Sequence, residues 1–288
     1  MSAQVEVGKA MRLKRVIDPA GVSVICALDH GMTSPTFLEP LAGIAARTAE
    51  AVAGGANVIM MSKGMVRLAG PAFSPLTSLA LLLSASANPD TPQPEVVQIA
   101  TVEEAARLGA DAVVLFTALG GPTEPGMIRI LAGVARECAV LGMPLIAEAE
   151  FPTTYARVEE LKEQYGFEYL RRSVRLCAEL GADIVKTNWP GDEESFGRLV
   201  EAAGGIPVVL AGGSRVPDQE LLWRMERAMA GGGIGCSVGR NIFMHRSPEA
   251  ITRALSRVIR EKWSAAKAFE ELQAGGAGGP GGHAEEAP

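Results

Sequence analysis

Histidine is scarce in this chain: 288 residues contain three, His30, His245 and His283. A zinc-centred site needs three or four His, Cys or carboxylate ligands brought together, so metal chemistry is not expected and His30 reads as a hydrogen-bonding or packing residue. Cysteine is nearly as rare, and Cys26, Cys138, Cys177 and Cys236 stand far apart with no C-x-x-C pair. They read as reduced core thiols, not as a disulfide or metal framework. No apolar run approaches membrane-spanning length, and the start of the chain does not resemble a signal peptide. Clustered basic residues are missing too. The formal charge is −6 with Lys and Arg scattered, which provides no electrostatic footprint for nucleic acid or an anionic membrane. The expectation is a cytoplasmic protein that binds neither, in which any anionic ligand is held locally.

What the chain has in quantity is apolar sequence, 48% of its residues, cut into short pieces. Eight apolar runs read as strands, at 23–28, 56–61, 79–83, 112–116, 144–149, 182–185, 206–210 and 233–237. Helical spacing lies between them, over 36–53, in a turn near Met65, from Thr101 to Gly109, and over 124–141. It resumes over 156–180, as one helix or two broken at Gly166, then from Asp192 to 203, over 218–230, and from Ser247-Pro248-Glu249 to 272. Thr101 and Glu104 have capping-box spacing. The stretch 84–94 with its three prolines reads as a long, functional loop. Alternation of this kind demands right-handed crossovers and a parallel sheet, and eight units close into a (β/α)8 TIM barrel. The rival, a doubly wound open sheet, lacks a GxGxxG after its first strand. Residues 1–272 are expected as one barrel domain with a lead-in helix to about Lys14. Residues 273–288 are expected as a disordered tail, because their Gly, Ala, Pro and Glu cannot bury enough apolar area.

In such a barrel the C-terminal strand ends share one mouth. Lys186 stands at the end of the apolar run 182–185. Partial desolvation there is expected to lower its pKa and leave free amine for attack on a carbonyl carbon, the chemistry of a Schiff base; the alternative is a lysine that snorkels to water or pairs with a carboxylate. Gly212, Gly213 and Ser214 end the seventh strand, and Gly239 and Arg240 the eighth. Glycines let backbone N–H groups approach an anion, while Ser214 and Arg240 add donors, so these loops are candidate phosphate ligands. Glu148 and Glu150 alternate onto one face of the fifth strand and suit general acid/base work. Asp29 would order a substrate hydroxyl, assist proton transfer, or pair with Lys186. Lys63 is either a second phosphate cation or a helix-cap contact.

Five motifs, Ala27-Leu28-Asp29-His30-Gly31, Leu83-Ser84-Ala85-Ser86, Gly181-Ala182-Asp183-Ile184-Val185-Lys186, Val209-Leu210-Ala211-Gly212-Gly213 and Val238-Gly239-Arg240-Asn241, resemble the class I aldolases that include the archaeal-type fructose-bisphosphate aldolase and deoxyribose-phosphate aldolase. The resemblance spans about residues 10 to 260. It implies a cofactor-free lyase acting on a phosphorylated sugar or triose phosphate, with Lys186 as Schiff-base lysine, Asp29 as catalytic carboxylate, and Gly212, Gly213, Gly239 and Arg240 as phosphate ligands. It also implies a homo-oligomer. A synthase that transfers a three-carbon unit onto aspartate semialdehyde shares the same residues, and a non-catalytic sugar-phosphate binder keeps the same barrel. One departure stands out. Where archaeal-type enzymes carry Tyr-Pro-Arg-Gly, this chain reads Phe151-Pro152-Thr153-Thr154, and the phenol is gone. A strand-five glutamate serves as acid/base in the tagatose-bisphosphate aldolase pattern, which favours Glu148 here, with Glu150 and Tyr155 in reserve.

Overall fold

In a computed structural model that describes residues 3–87, 95–152 and 158–276, all eight expected strands form and close into a ring. We number them β1 (Ser23–Ala27), β2 (Val58–Met61), β3 (Ser78–Leu82), β4 (Ala112–Phe116), β5 (Leu145–Ala149), β6 (Ile184–Thr187), β7 (Val208–Ala211) and β8 (Gly235–Val238). Neighbours pair in parallel, and β8 returns to β1 with Ser23 opposite Gly235 and Ile25 opposite Ser237. Alternation divides each strand between two cores. Ile25, Val58, Val114, Ile146, Ile184 and Val209 fill the lumen, while Val24, Ile59, Val113, Leu145 and Val185 pack against the surrounding helices. Burial of both faces explains why the strands read as continuous apolar runs and not as alternating ones.

The helices begin and end where their chemistry dictates. Thr101 and Glu104 complete the capping box ahead of Val102–Arg107. The helix Glu124–Leu141 stops at Gly142, whose φ of 60° is left-handed, and Asp192 caps Glu193–Ala202 through the Ser195 amide. Gly166 has φ 75° and interrupts Val158–Glu179. The lead-in helix Ala3–Val16 lies under the lower end of the ring, where Val16 joins the lumen core with Leu13 and Ile17 against it. Lys9 pairs with Asp183 at 2.7 Å and Arg15 with Asp111 at 2.6 Å, and Arg12 donates to the Gly142 carbonyl.

Three local expectations change. Residues 84–87 are not loop: Ser84–Ala87 pairs antiparallel with Glu95–Gln98 to form a hairpin outside the ring. The span 36–53 is helical only from Ile44, after a 3-10 stretch over Glu39–Gly43 that begins at Pro40's turn. The closing helix is two, Pro248–Glu261 and Ala265–Gly276, separated where Lys262 turns left-handed at φ 55°. The second of them carries helix to Gly276, four residues beyond the expected end at 272. The rest of the expected tail lies outside the described residues.

The ring seam has no room for a side chain at Gly235. Its φ is 145°, and a Cβ there would stand 1.8 Å from the Ser23 carbonyl oxygen on β1. Gly235→Ala is therefore expected to part β8 from β1, costing about 3 kcal/mol and about 6–12 °C of Tm. A calorimetric melt within about 2 °C of the parent would contradict this account of the seam.

Candidate active site

The register of two neighbouring strands builds the centre of the site. Along β5, Ile146 is followed at the next lumen position by Glu148; along β6, Ile184 is followed by Lys186. Ile146 lies opposite Ile184 and Glu148 opposite Lys186. One step further up, past both strand ends, the same alternation brings Glu150 beside Asn188. All four side chains are buried. Lys186 Nζ donates to Glu148 Oε1 at 2.6 Å and stands 2.8 Å from Glu150 Oε1, the latter an ion pair without hydrogen-bond alignment. Asn188 Nδ2 donates to Glu150 Oε2 at 3.3 Å, and Asn188 Oδ1 accepts the Phe151 amide at 2.8 Å.

These contacts reverse one expectation. Burial by itself disfavours the ammonium of Lys186, but Glu148, Glu150 and, at longer range, Asp29 outweigh it and hold the amine above its ordinary pKa. The magnitudes explain the outcome. Burial of an ion costs several kcal/mol, while one opposite charge 4 Å away returns about 4 kcal/mol at an effective dielectric of ~20, and Lys186 has two partners closer than that. The resting lysine is thus an ammonium and not the free amine that desolvation alone predicts. The compensating shift falls on Glu148. Its burial, opposed by Lys186 and reinforced by Glu150 and Asp29, pushes its carboxyl up to about 7, which narrows the gap to the Lys186 ammonium and makes this oxygen a better proton acceptor than an ordinary carboxylate.

Asp29 follows β1 at the same mouth and is 6% exposed. Burial raises its carboxyl, but His30 and Lys186 prevail and hold it below the ordinary carboxylate range. The His30 Nδ1 lies 3.4 Å from Asp29 Oδ1 without hydrogen-bond alignment, and the ring meets Phe243 edge-on at 5.2 Å, so this histidine packs beside the carboxylate. Gly239 must be glycine for that arrangement: a Cβ would stand 2.2 Å from His30 Cε1 and 2.8 Å from the Ala27 carbonyl.

The loops after β7 and β8 interlock. The Gly212 amide donates to the Ser237 carbonyl, and a Cβ at Gly212 would press on Val238 at 3.0 Å, so this glycine serves close packing. Arg240 donates to the Gly213 carbonyl at 2.9 Å. Asn241 donates to the carbonyls of Gly212 and Ser214 and accepts the Val216 amide. Since a trans peptide points its N–H opposite its C=O, these anchors aim the amides of Gly213, Ser214 and Arg215 away from Arg240 and Asn241. Lys63 lies elsewhere: it pairs with Glu104 of the capping box at 2.8 Å, the helix-cap contact. Tyr155 lies outside the described residues. Phe151 is buried and stacks on Tyr169 at 5.9 Å beside Tyr165.

The roles of three residues at the mouth escape sequence reasoning, although Asn241 stands in the motif after the eighth strand. Asn188 and Asn241 act through carbonyls, amides and a carboxylate that only the folded ring brings near, although alternation two residues past Lys186 marks Asn188 as facing the lumen. Ser237 faces the lumen opposite Ile25, and its buried Oγ has no hydrogen-bond partner among the described residues. Also among the described residues, no three His, Cys, Asp or Glu side chains are grouped as a metal ion requires, and no helix is long and apolar enough to cross a membrane.

Known proteins are similar to this chain in sequence and fold. A 2-amino-3,7-dideoxy-D-threo-hept-6-ulosonate synthase of Halobacterium salinarum is 35% identical over 256 residues, covering 89% of this chain and 93% of that one. A 2-amino-4,5-dihydroxy-6-oxo-7-(phosphonooxy)heptanoate synthase of Streptomyces griseus is 31% identical, covering 97% and 99%. An archaeal fructose 1,6-bisphosphate aldolase superposes with a TM-score of 0.77 at 26% identity, over 88% of this chain and 99% of that one. Another such structure, with its catalytic lysine covalently bound to a carbinolamine intermediate, gives 0.77 at 25%, over the same shares. Residues 23–245 match the DeoC/LacD family aldolase, from Ser23, where β1 begins, to just past β8. With the closed ring, the lumen lysine and these relatives in agreement, the chain belongs to the DeoC/LacD family of aldolases.

Proposed function

We propose that this protein makes or breaks the carbon–carbon bond of a phosphorylated ketose through an imine on Lys186. The observation that carries the reading is the buried Lys186 ammonium hydrogen-bonded to Glu148, a carboxyl raised to about 7. When a ketone enters, the ammonium gives a proton to Glu148 and the amine adds to the carbonyl carbon, forming a carbinolamine. Glu148 returns the proton to the departing hydroxyl, water leaves, and the iminium remains. In cleavage the iminium accepts the electron pair of the breaking bond while a carboxylate takes the proton of the β-hydroxyl. An aldehyde departs, and the enamine is protonated on carbon and hydrolysed. Asp29, kept ionised, orders a substrate hydroxyl. Gly212 and Gly239 supply close backbone approach, the amides of Gly213 and Ser214 supply donors for the phosphate, and Arg240, holding the Gly213 carbonyl from behind, adds its positive charge to the phosphate site. On the family resemblance the enzyme works as a cofactor-free homo-oligomer in the cytoplasm.

The synthase reading has its own support. The product named for the streptomycete relative carries a 6-oxo and a 4-hydroxy group with the phosphate on carbon 7, the β-hydroxyketone of an aldol addition, and an amino group at the far end. Three carboxylates, Asp29, Glu148 and Glu150, surround the one Lys186. Such a mouth suits an acceptor aldehyde bearing an ammonium better than one bearing a second phosphate.

Borohydride reduction with dihydroxyacetone phosphate is expected to leave a mass adduct on the peptide that contains Lys186 and on none in Lys186→Met; an adduct elsewhere rejects the reading. Glu148→Gln is expected to lower kcat by about 10²–10⁴-fold. Because Glu148 has to be ionised to receive the proton, kcat should rise with pH to a plateau above about 7, and a profile level from pH 5 to 8 would count against it as the base. Turnover with aspartate semialdehyde as acceptor should exceed that with glyceraldehyde 3-phosphate if the synthase reading holds.

A further inference from the structure

Both glutamates reach the lysine, and a proton-carrying role suits either one by distance alone. Their second oxygens differ. Asn188 is 4% exposed, and the orientation of its amide is fixed from one side, because a backbone N–H, that of Phe151, is always a donor and takes Oδ1 as acceptor at 2.8 Å. Nδ2 must then face Glu150 Oε2, at 3.3 Å. The other oxygen of Glu150 faces the Lys186 ammonium at 2.8 Å. Glu150 is therefore held from two sides, by the Asn188 N–H at Oε2 and by the charge of Lys186 at Oε1. Glu148 is different: among the described residues, Lys186 is its one hydrogen-bond donor.

We propose, building on the imine reading above, that Asn188 is a positioning residue that divides the work of the two glutamates. Its amide holds Glu150 as a stationary counter-ion to Lys186 and leaves Glu148 to carry the proton. A neutral amide suits the task, since a Lys or Arg in its place would bring a second positive charge against the ammonium. The same side chain, through the Phe151 amide, ties the end of β5 to the end of β6. That bond turns the chain just where the phenol of archaeal-type relatives is replaced by phenylalanine, so the tether and the two-glutamate centre belong to one arrangement.

The test compares Asn188→Asp and Asn188→Ala with the parent, in the parent background and in Glu150→Gln. In Asn188→Asp a carboxylate replaces the donor beside Glu150. The acid limb of the kcat profile should move up by about one pH unit, so kcat at pH 7 should fall by about fivefold with KM within about threefold, while the borohydride adduct still forms on Lys186. In Asn188→Ala kcat should fall in the parent background and change less than about twofold in Glu150→Gln, where no carboxylate remains to be held. Folding is read from melting curves of each variant; should Asn188→Asp not accumulate, the alanine cycle decides. An unmoved acid limb in a folded Asn188→Asp protein, or an equal loss from Asn188→Ala with and without Glu150, would overturn the assignment. Failure of the imine reading looks different, as the absence of any adduct on Lys186 in the parent protein.

Discussion

A buried ammonium bound to two carboxylates is the interaction on which the upper half of this barrel depends. Each of the three charges would be costly alone in an apolar ring. Together they are stable because β5 and β6 are in register and hold Lys186 level with Glu148. A slip of one residue on either strand would turn its charge from the lumen to the helix layer, leaving the partner's charge buried without compensation. The polar centre thus contributes less to stability than to register.

Around this part of the mouth the ring runs β5, β6, β7, β8, β1, so the glutamates of β5 and Asp29 after β1 flank the loops of β7 and β8. On β5 and β6, carboxylates outnumber the lysine. On the side of β7 and β8, glycines bring backbone close and Arg240 and Asn241 brace the turn from behind. On the proposed reading, a ketose phosphate places its phosphate at the glycine loops and its carbonyl over Lys186.

Most of the ring was legible because strands buried on both faces leave a dense apolar signature, and because Gly142, Asp192 and Thr101 stop or start helices by local chemistry. The β6 boundary shifts from 182–185 to Ile184–Thr187 for an instructive reason: an apolar count ends at a lysine, whereas the backbone ladder continues through it. The break after Glu261 left no trace, since neither Gly nor Pro marks it. There Lys262 turns left-handed and Trp263 sits between the cations of Arg257 and Lys267, 4.9 and 3.5 Å from its ring. The direction of the lysine's pKa shift is not legible from its own strand, because burial can be inferred from that strand while the neighbours that oppose it, Glu148 and Glu150, come from the adjacent one.

The lead-in helix lies at the other end of the tube from the chemistry, yet it bears on it. Val16 closes the lumen from below, and Lys9, Arg12 and Arg15 fasten the helix to the strand-entry side of the ring. Between that stopper and the charged trio lie the apolar lumen residues Ile25, Val58, Ile146 and Ile184, whose side chains carry no polar group to screen the charges above them. The segment at the beginning of the chain thereby contributes to the apolar base on which the site stands.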